Sequence, residues 1–216
     1  MAVPRTIAQN LYLKALRNSI KPIVVATGPA GSGKTLMACH AAAERLHAKH
    51  VDRVVITRPT VNVDEDLGFL PGGLEEKMDP YMRPIMDIMG DYFTRSRIQQ
   101  MMKSGVLEIA PLAFMRGRTF DKCFIIGDEM QNTTQSQMKM ILTRLGEDSK
   151  MAITGDMSQT DLPQETTSGL LDLVTSIKSA DELNYIDHIV LGEEDIQRHE
   201  AVKEVLALYD NGGYQG

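Results

Sequence analysis

The sequence lacks several features that define special classes of protein. It contains no Trp, and aromatic residues make up only 5% of its 216 residues. No apolar run approaches the roughly 20 residues that a membrane-spanning helix needs, and the first residues lack the apolar stretch of a signal peptide. Its two cysteines, Cys39 and Cys123, fall in a predicted helix and a predicted strand, which favours reduced core residues over a disulfide or a zinc site. These absences predict a cytoplasmic protein that does not enter a membrane.

An excess of positive charge is also missing. The chain has 23 Lys and Arg residues against 29 Asp and Glu residues, for a net charge of −6. This balance argues against indiscriminate binding of nucleic acid, which favours a strongly basic surface. Two local basic groups remain, and each is either a solvated face or a track for a nucleic acid. They are Arg95, Arg97 and Lys103, and Arg116, Arg118 and Lys122.

Strand and helix patterns alternate along the whole chain. This alternation is typical of an α/β domain with a mostly parallel sheet and helices on both faces. We expect one domain over residues 1–216, with a core at about 6–209 and a frayed tail at 210–216. The predicted strands are residues 23–27, 54–57, 107–110, 123–127, 151–154 and 186–190. The predicted helices are residues 6–18, 34–48, 98–103, 134–145, 169–179 and 195–209, with a further one that begins near Asp79-Pro80.

A phosphate-loop motif is the most informative feature. The residues Gly28, Pro29, Ala30, Gly31, Ser32, Gly33, Lys34 and Thr35 match G-x-x-x-x-G-K-[ST] at every fixed position. An apolar strand precedes the motif and a helix-forming run follows it, so backbone N–H groups at a helix N-terminus would surround a polyphosphate. Lys34 would reach the β- and γ-phosphates of ATP, and the Thr35 hydroxyl would bind Mg²⁺. The motif predicts a nucleoside triphosphate site.

A second segment supplies paired carboxylates. Residues 124–129 have the form of a Walker B motif, a buried strand that ends in Asp128 and Glu129. Asp128 would complete the metal site that Thr35 begins, and Glu129 would orient and polarise an attacking water. Further along, Gln159 follows another short strand and is a candidate sensor of the γ-phosphate. Together these residues predict hydrolysis of the nucleotide.

Motif order and longer segments add a family resemblance. Residues 128–131 and 155–159 resemble motifs II and III of superfamily 1 helicases. The chain as a whole resembles the PhoH family, the phosphate-starvation-inducible ATPases of bacteria and phages. The matching segments are residues 58–59, 67–72, 76–81, 110–119, 131–134 and 137–146. The resemblance implies a RecA-like P-loop NTPase core, ATP binding and hydrolysis, and an action on RNA.

The same resemblance implies roles for two further residues. Gln9 is similar to the adenine-contacting Gln of a Q-motif, the alternative being an exposed helix residue. Arg198 lies in a segment that resembles a Val-Arg-His segment of the family. The chain departs from the family pattern at Gly127, where an aliphatic residue is usual, and this departure would loosen the end of the strand.

A single RecA-like domain leaves the γ-phosphate without the arginine that a second domain contributes in superfamily 1 motors. An arginine supplied by a neighbour can raise the rate by roughly 10³–10⁵. We therefore expect a homo-oligomeric ring, a hexamer, with nucleotide at the subunit interfaces. Arg198, Arg144 and Arg118 are the candidates, and Arg198 is favoured. Each has an alternative: Arg144 could complement the C-terminus of its helix, Arg118 could bind nucleic acid phosphate, and Arg198 could form an intrachain salt bridge.

Three functions are compatible with these motifs. The first is a Mg²⁺-dependent ATPase that acts as a motor or remodeller on RNA or single-stranded nucleic acid. The second is a nucleotide-controlled regulatory or binding protein with little turnover. The third, a small-molecule kinase, is less favoured because the sequence shows no clear Arg-rich lid.

Overall fold

The computed structural model describes residues 3–59, 83, 85–197 and 201–202. Its strands are β1 (Ile23–Thr27), β2 (Arg53–Arg58), β3 (Leu107–Pro111), β4 (Cys123–Gly127), β5 (Lys150–Gly155) and β6 (Ile186–Val190). Its helices are α1 (Ile7–Arg17), α2 (Lys34–His47), α3 (Arg95–Lys103), α4 (Gln135–Leu142) and α5 (Gly169–Ser179). The predicted strands are all present, each within one residue at either end.

All six strands run parallel in the order β3-β2-β4-β5-β1-β6. Parallel neighbours need a crossover connection, and here helices provide most of them. The carboxyl ends of β1, β4 and β5 therefore meet at one edge of the sheet. We call it the carboxyl edge, and the opposite edge, where the strands begin, the amino edge.

Two hydrophobic cores cover the two faces of this sheet. Because successive residues of a strand point to opposite faces, Val24 belongs to one core and Val25 to the other. Helices α1, α2 and α3 contribute to the first core, and α4 and α5 contribute to the second. The predicted α/β sandwich with helices on both faces is confirmed.

Local side-chain bonds explain where the helices begin and end. Thr6 caps α1 through its hydroxyl, and Thr134 caps α4 in a capping box with Gln137. The prediction that this helix continues to Leu145 is wrong. It ends at Leu142 because Leu145 forms a strand-like bridge with Phe120.

Two other predicted helices lie partly outside the described residues. The helix predicted to begin near Asp79 starts outside them, but residues 83 and 85–89 are helical, as predicted. Ile85 and Met89 of its apolar stripe are buried in the core. The predicted C-terminal helix, residues 195–209, lies mostly outside them: Glu193–Asp195 forms a 3-10 turn at its predicted start, and residues 201 and 202 are helical. None of the described helices combines the length and the apolar character that crossing a bilayer would require.

Both cysteines are buried and carry free thiols, as predicted. Burial raises the pKa of Cys39 well above its ordinary range and that of Cys123 to about 12. Both thiols are therefore protonated at neutral pH and behave as small core residues.

Candidate nucleotide site

The phosphate loop connects β1 to α2 at the carboxyl edge, and three glycines shape it. Gly28, Gly31 and Gly33 have φ values of 153°, 83° and 91°, which L side chains rarely adopt. Space also requires Gly28, since a Cβ there would lie 2.3 Å from the carbonyl oxygen of Leu191. The loop is therefore built for a close approach of backbone N–H groups to an anion.

Lys34 is turned inward against its own loop. Its ammonium group donates to the carbonyl oxygens of Gly28 at 2.7 Å and Pro29 at 2.8 Å. Burial lowers its pKa, and the carboxylate of Asp156 is the largest charge that opposes this shift. A phosphate bound in the loop would compete for the ammonium group with these two carbonyl oxygens.

The two halves of the predicted metal site lie in direct contact. Thr35 donates a hydrogen bond to Oδ1 of Asp128 at 2.6 Å, and Thr154 donates to the same oxygen at 2.6 Å. The backbone N–H of Asp128 donates to the carbonyl of Thr57, which extends the pairing of β2 and β4 by one residue. The Thr35 hydroxyl and the Asp128 carboxylate fit Mg²⁺, which prefers oxygen ligands and keeps several waters.

No cluster of three or more His, Cys, Asp or Glu side chains that could hold a metal occurs in the described part of the chain. An all-protein cage is thus absent there. A hydroxyl and one carboxylate are the usual protein contribution where a nucleotide supplies the remaining oxygens. Thr35 and Asp128 are the residues that would hold the ion.

Glu129 has a left-handed backbone, with φ 53° and ψ 39°. Its carboxylate lies between two donors: the Gln131 amide donates to Oε2 at 2.6 Å, and Nη2 of Arg58 lies 3.7 Å from Oε1. Sequence reasoning named neither Gln131 nor Arg58 as a site residue. Its position directly after the predicted strand 54–57 was the available signal for Arg58, but only the strand order of the sheet places it beside Glu129.

Gln131 also connects the Walker B segment to β5. Its Oε1 accepts a hydrogen bond from the backbone N–H of Asp156 at 3.1 Å. A Cβ on Gly155 would lie 2.6 Å from that oxygen, so only glycine leaves room for the contact. Asp156 is buried, and its Oδ2 has no hydrogen-bond partner among the described residues. Asp156 therefore adds a carboxylate near Lys34 that the sequence interpretation left unassigned.

Gln159 and Gln9 differ in their surroundings. Gln159 is exposed in the turn after β5, so its role as a γ-phosphate sensor stays a prediction. Gln9 is buried, which excludes the alternative of an exposed helix residue. Its amide donates to the carbonyls of Ser32 at 3.0 Å and Asp195 at 3.1 Å and accepts from the N–H of Arg5. Gln9 thus ties the phosphate loop to the C-terminal segment, and its contact with adenine stays a prediction.

Gly127 does not leave a loose strand end, contrary to expectation. It is the last, fully buried residue of β4 and pairs with both Thr57 and Ile153. A Cβ at this position would lie 3.0–3.2 Å from side-chain atoms of Ile153 and Met130. These two side chains fill the space that a larger residue would occupy.

Two of the three candidate arginines make intrachain contacts away from this site. Arg118 forms a bidentate pair with Glu108 near the start of β3. Arg144 donates to the carbonyls of Met140 and Arg118. Both lie toward the amino edge, so neither can reach the γ-phosphate of its own subunit. Arg198 lies outside the described residues.

The parallel sheet, the glycine loop and the adjoining carboxylates define a P-loop nucleotide-binding protein with a RecA-like core. A sequence model of the family "PhoH-like protein" matches residues 1–210. The chain belongs to the PhoH family.

Relatives and solved structures agree with this assignment. The chain is 45% identical over 206 residues to a PhoH-like protein of Bacillus subtilis, covering 95% of this chain and 63% of that protein. It is 44% identical over 207 residues to Protein PhoH of Escherichia coli, covering 95% and 57%. The chain thus spans little more than half the length of these relatives. The UvsW helicase of bacteriophage T4 shares the fold, with a TM-score of 0.52 at 12% identity over 88% of this chain and 60% of that one.

Proposed function

We propose that this protein is a Mg²⁺-dependent ATPase that hydrolyses ATP to ADP and phosphate. The observation that carries the proposal is the contact of Thr35 with Asp128, directly before Glu129. This contact places two proposed metal ligands together, one from the phosphate loop and one directly before a carboxylate that can act on water. A kinase would need an acceptor site, and the described residues offer no feature that favours one over water.

In the proposed reaction, an oxygen of water forms a bond to the γ-phosphorus. The bond from that phosphorus to the bridging oxygen breaks, and ADP leaves with the electron pair. Glu129 orients the water and accepts the proton that it loses. Lys34 leaves its loop carbonyls to bind the β- and γ-phosphates. Mg²⁺ held by Thr35 and Asp128 would supply positive charge to the phosphate oxygens.

The wider activity is proposed with it. The protein would act in the cytoplasm as a hexameric ring that moves or remodels RNA or single-stranded nucleic acid, with Arg198 reaching the neighbouring nucleotide. The helicase-like fold and the family membership support an action on nucleic acid.

Phosphate release, measured without and with single-stranded RNA, single-stranded DNA and duplexes, tests the proposal. We expect Mg²⁺-dependent release from ATP without any acceptor, and stimulation by one of the single strands. Glu129→Gln should abolish release while ATP still binds, and the exposed Glu165→Gln serves as the matched control. A Glu129→Gln protein that keeps its cellular function would favour the regulatory alternative. Formation of ADP that needs a metabolite acceptor and releases no free phosphate would favour a kinase.

A further inference from the structure

Glu129 lacks the usual constraints of a strand residue. It follows β4 in a left-handed backbone conformation, which disfavours most L residues. Its side chain is about one-third exposed, at 37%. Neighbouring groups, rather than packing, therefore set the direction of its carboxylate.

Two groups, one at each oxygen of the carboxylate, provide this constraint. Gln131 is a fixed donor because it is only 3% exposed and both polar atoms of its amide are bonded. The nitrogen donates to Glu129, and the oxygen accepts from the backbone N–H of Asp156. Arg58 is an adjustable donor because its side chain is 39% exposed and lies 3.7 Å from the carboxylate, beyond hydrogen-bond length. The carboxylate is thus held firmly by one oxygen and loosely by the other.

The sheet itself places Arg58 at this position. Strands β2 and β4 are direct neighbours in which Thr57 pairs with Gly127, and the N–H of Asp128 donates to Thr57. Arg58 follows Thr57 as Asp128 and Glu129 follow Gly127. The backbone of Arg58 is therefore fixed beside the Walker B carboxylates, and its long side chain extends from there toward Glu129.

The geometry points to Arg58 as a positioning residue for Glu129, which keeps the carboxylate directed at the attacking water while the nucleotide binds and turns over. This inference rests on the proposed ATPase function. In this role Arg58 acts through the Glu129 carboxylate, which its guanidinium approaches to 3.7 Å. Its loss should therefore lower kcat while leaving ATP binding nearly unchanged.

The test compares Arg58→Met with Arg58→Lys and with Arg53→Met. Arg53 begins the same strand at the amino edge, so it matches Arg58 in type and strand but lies away from the site. We expect Arg58→Met to lower kcat about tenfold with KM for ATP within about twofold. Lys should restore kcat to within about threefold, since it keeps the cation, and Arg53→Met should match the wild type. An Arg58→Met protein with wild-type kcat, or with a raised KM alone, would overturn the inference.

A second measurement does not depend on turnover. ADP with aluminium fluoride imitates the transferring phosphoryl group, so its affinity reports on how well the attacking side of the site is ordered. We expect Arg58→Met to bind this complex about tenfold more weakly while ADP alone binds as in the wild type. If Arg58→Met bound ADP with aluminium fluoride as tightly as the wild type does, and ADP alone as well, the role of Arg58 would be refuted. If the wild-type protein released no phosphate, the proposed function would be refuted. The affinity for ADP with aluminium fluoride would still decide whether Arg58 orders this part of the site. Thermal unfolding of each variant confirms that it is folded.

Discussion

The hydroxyl of Thr35 donates a hydrogen bond to the carboxylate of Asp128 at 2.6 Å, although 93 residues separate them in the chain. Thr154, from a third strand, donates to the same oxygen. Three segments of the sequence therefore converge on one carboxylate oxygen. Two hydroxyls thus bond to the oxygen at which we expect Mg²⁺ to bind.

Thr35→Val should remove a metal ligand without changing the shape of the side chain. We expect ATP hydrolysis to fall by about 100-fold, because the proposed Mg²⁺ would lose one of its two proposed protein ligands and would neutralise the phosphates less well. The measurement is the rate of phosphate release as a function of Mg²⁺ concentration. Thr175→Val on the exposed face of α5 is the control, since its hydroxyl bonds only to its own helix. If Thr35→Val kept the wild-type Mg²⁺ dependence, the assignment of this ligand would be wrong.

Gly155→Ala should disconnect Gln131 from Asp156. The added methyl would lie 2.5 Å from Leu170 and 2.6 Å from the amide oxygen of Gln131, and neither contact is possible without movement. We expect a loss of about 2 kcal/mol in the free energy of unfolding and a lower kcat. Gln131→Leu is the comparison, because it removes the amide without crowding β5. Similar kcat values for these two variants, both well below the wild type, would support the role of the amide. A wild-type kcat in Gly155→Ala would contradict it.

Lys150 provides a prediction about stability rather than activity. Its side chain is buried, and its ammonium donates to the carbonyls of Ala15, Asn18 and Lys21 at 2.6–2.7 Å. Burial lowers its pKa to about 8, which leaves it protonated at neutral pH. Lys150→Met should lower the free energy of unfolding by about 3 kcal/mol, because three carbonyl acceptors, the one of Ala15 buried, lose their donor.

Denaturant unfolding measures this loss, and ATP affinity should not change since Lys150 begins β5 at the amino edge. The control is Lys21→Met, which removes a partly exposed ion pair with Asp187. That pair should contribute less than about 1 kcal/mol. Equal losses from the two variants would show that the three carbonyl contacts contribute little.

Gln9→Leu tests two explanations of one residue. Every polar atom of the Gln9 side chain is already bonded within the chain, and two of these bonds hold Ser32 and Asp195 together. We therefore expect the variant to weaken the binding of ATP and GTP to the same extent, as a less supported phosphate loop would. Titration calorimetry with both nucleotides gives the comparison. A loss restricted to ATP would instead establish the adenine contact that the family resemblance implies.

Much of the fold could be predicted from the sequence because its signals are local. The glycines at 28, 31 and 33 occupy positions where only a residue without Cβ adopts the required backbone. Short β-branched runs such as Ile23–Thr27 alternate with helical patterns, and that alternation implies a parallel sheet. The end of α4 was missed because a long-range bridge to Phe120, and not a local signal, stops that helix.

The sequence by itself determined the nucleotide-binding motif, the carboxylate pair and the family, since all three are written in consecutive residues. Only the tertiary structure decided which distant groups surround Glu129 and where each arginine lies. Arg58 lies near Glu129 because β2 is beside β4 in the sheet, although β3 comes between these two strands in the chain. The contact of Thr35 with Asp128 has the same origin, because strand order places remote segments together and no local pattern records that order.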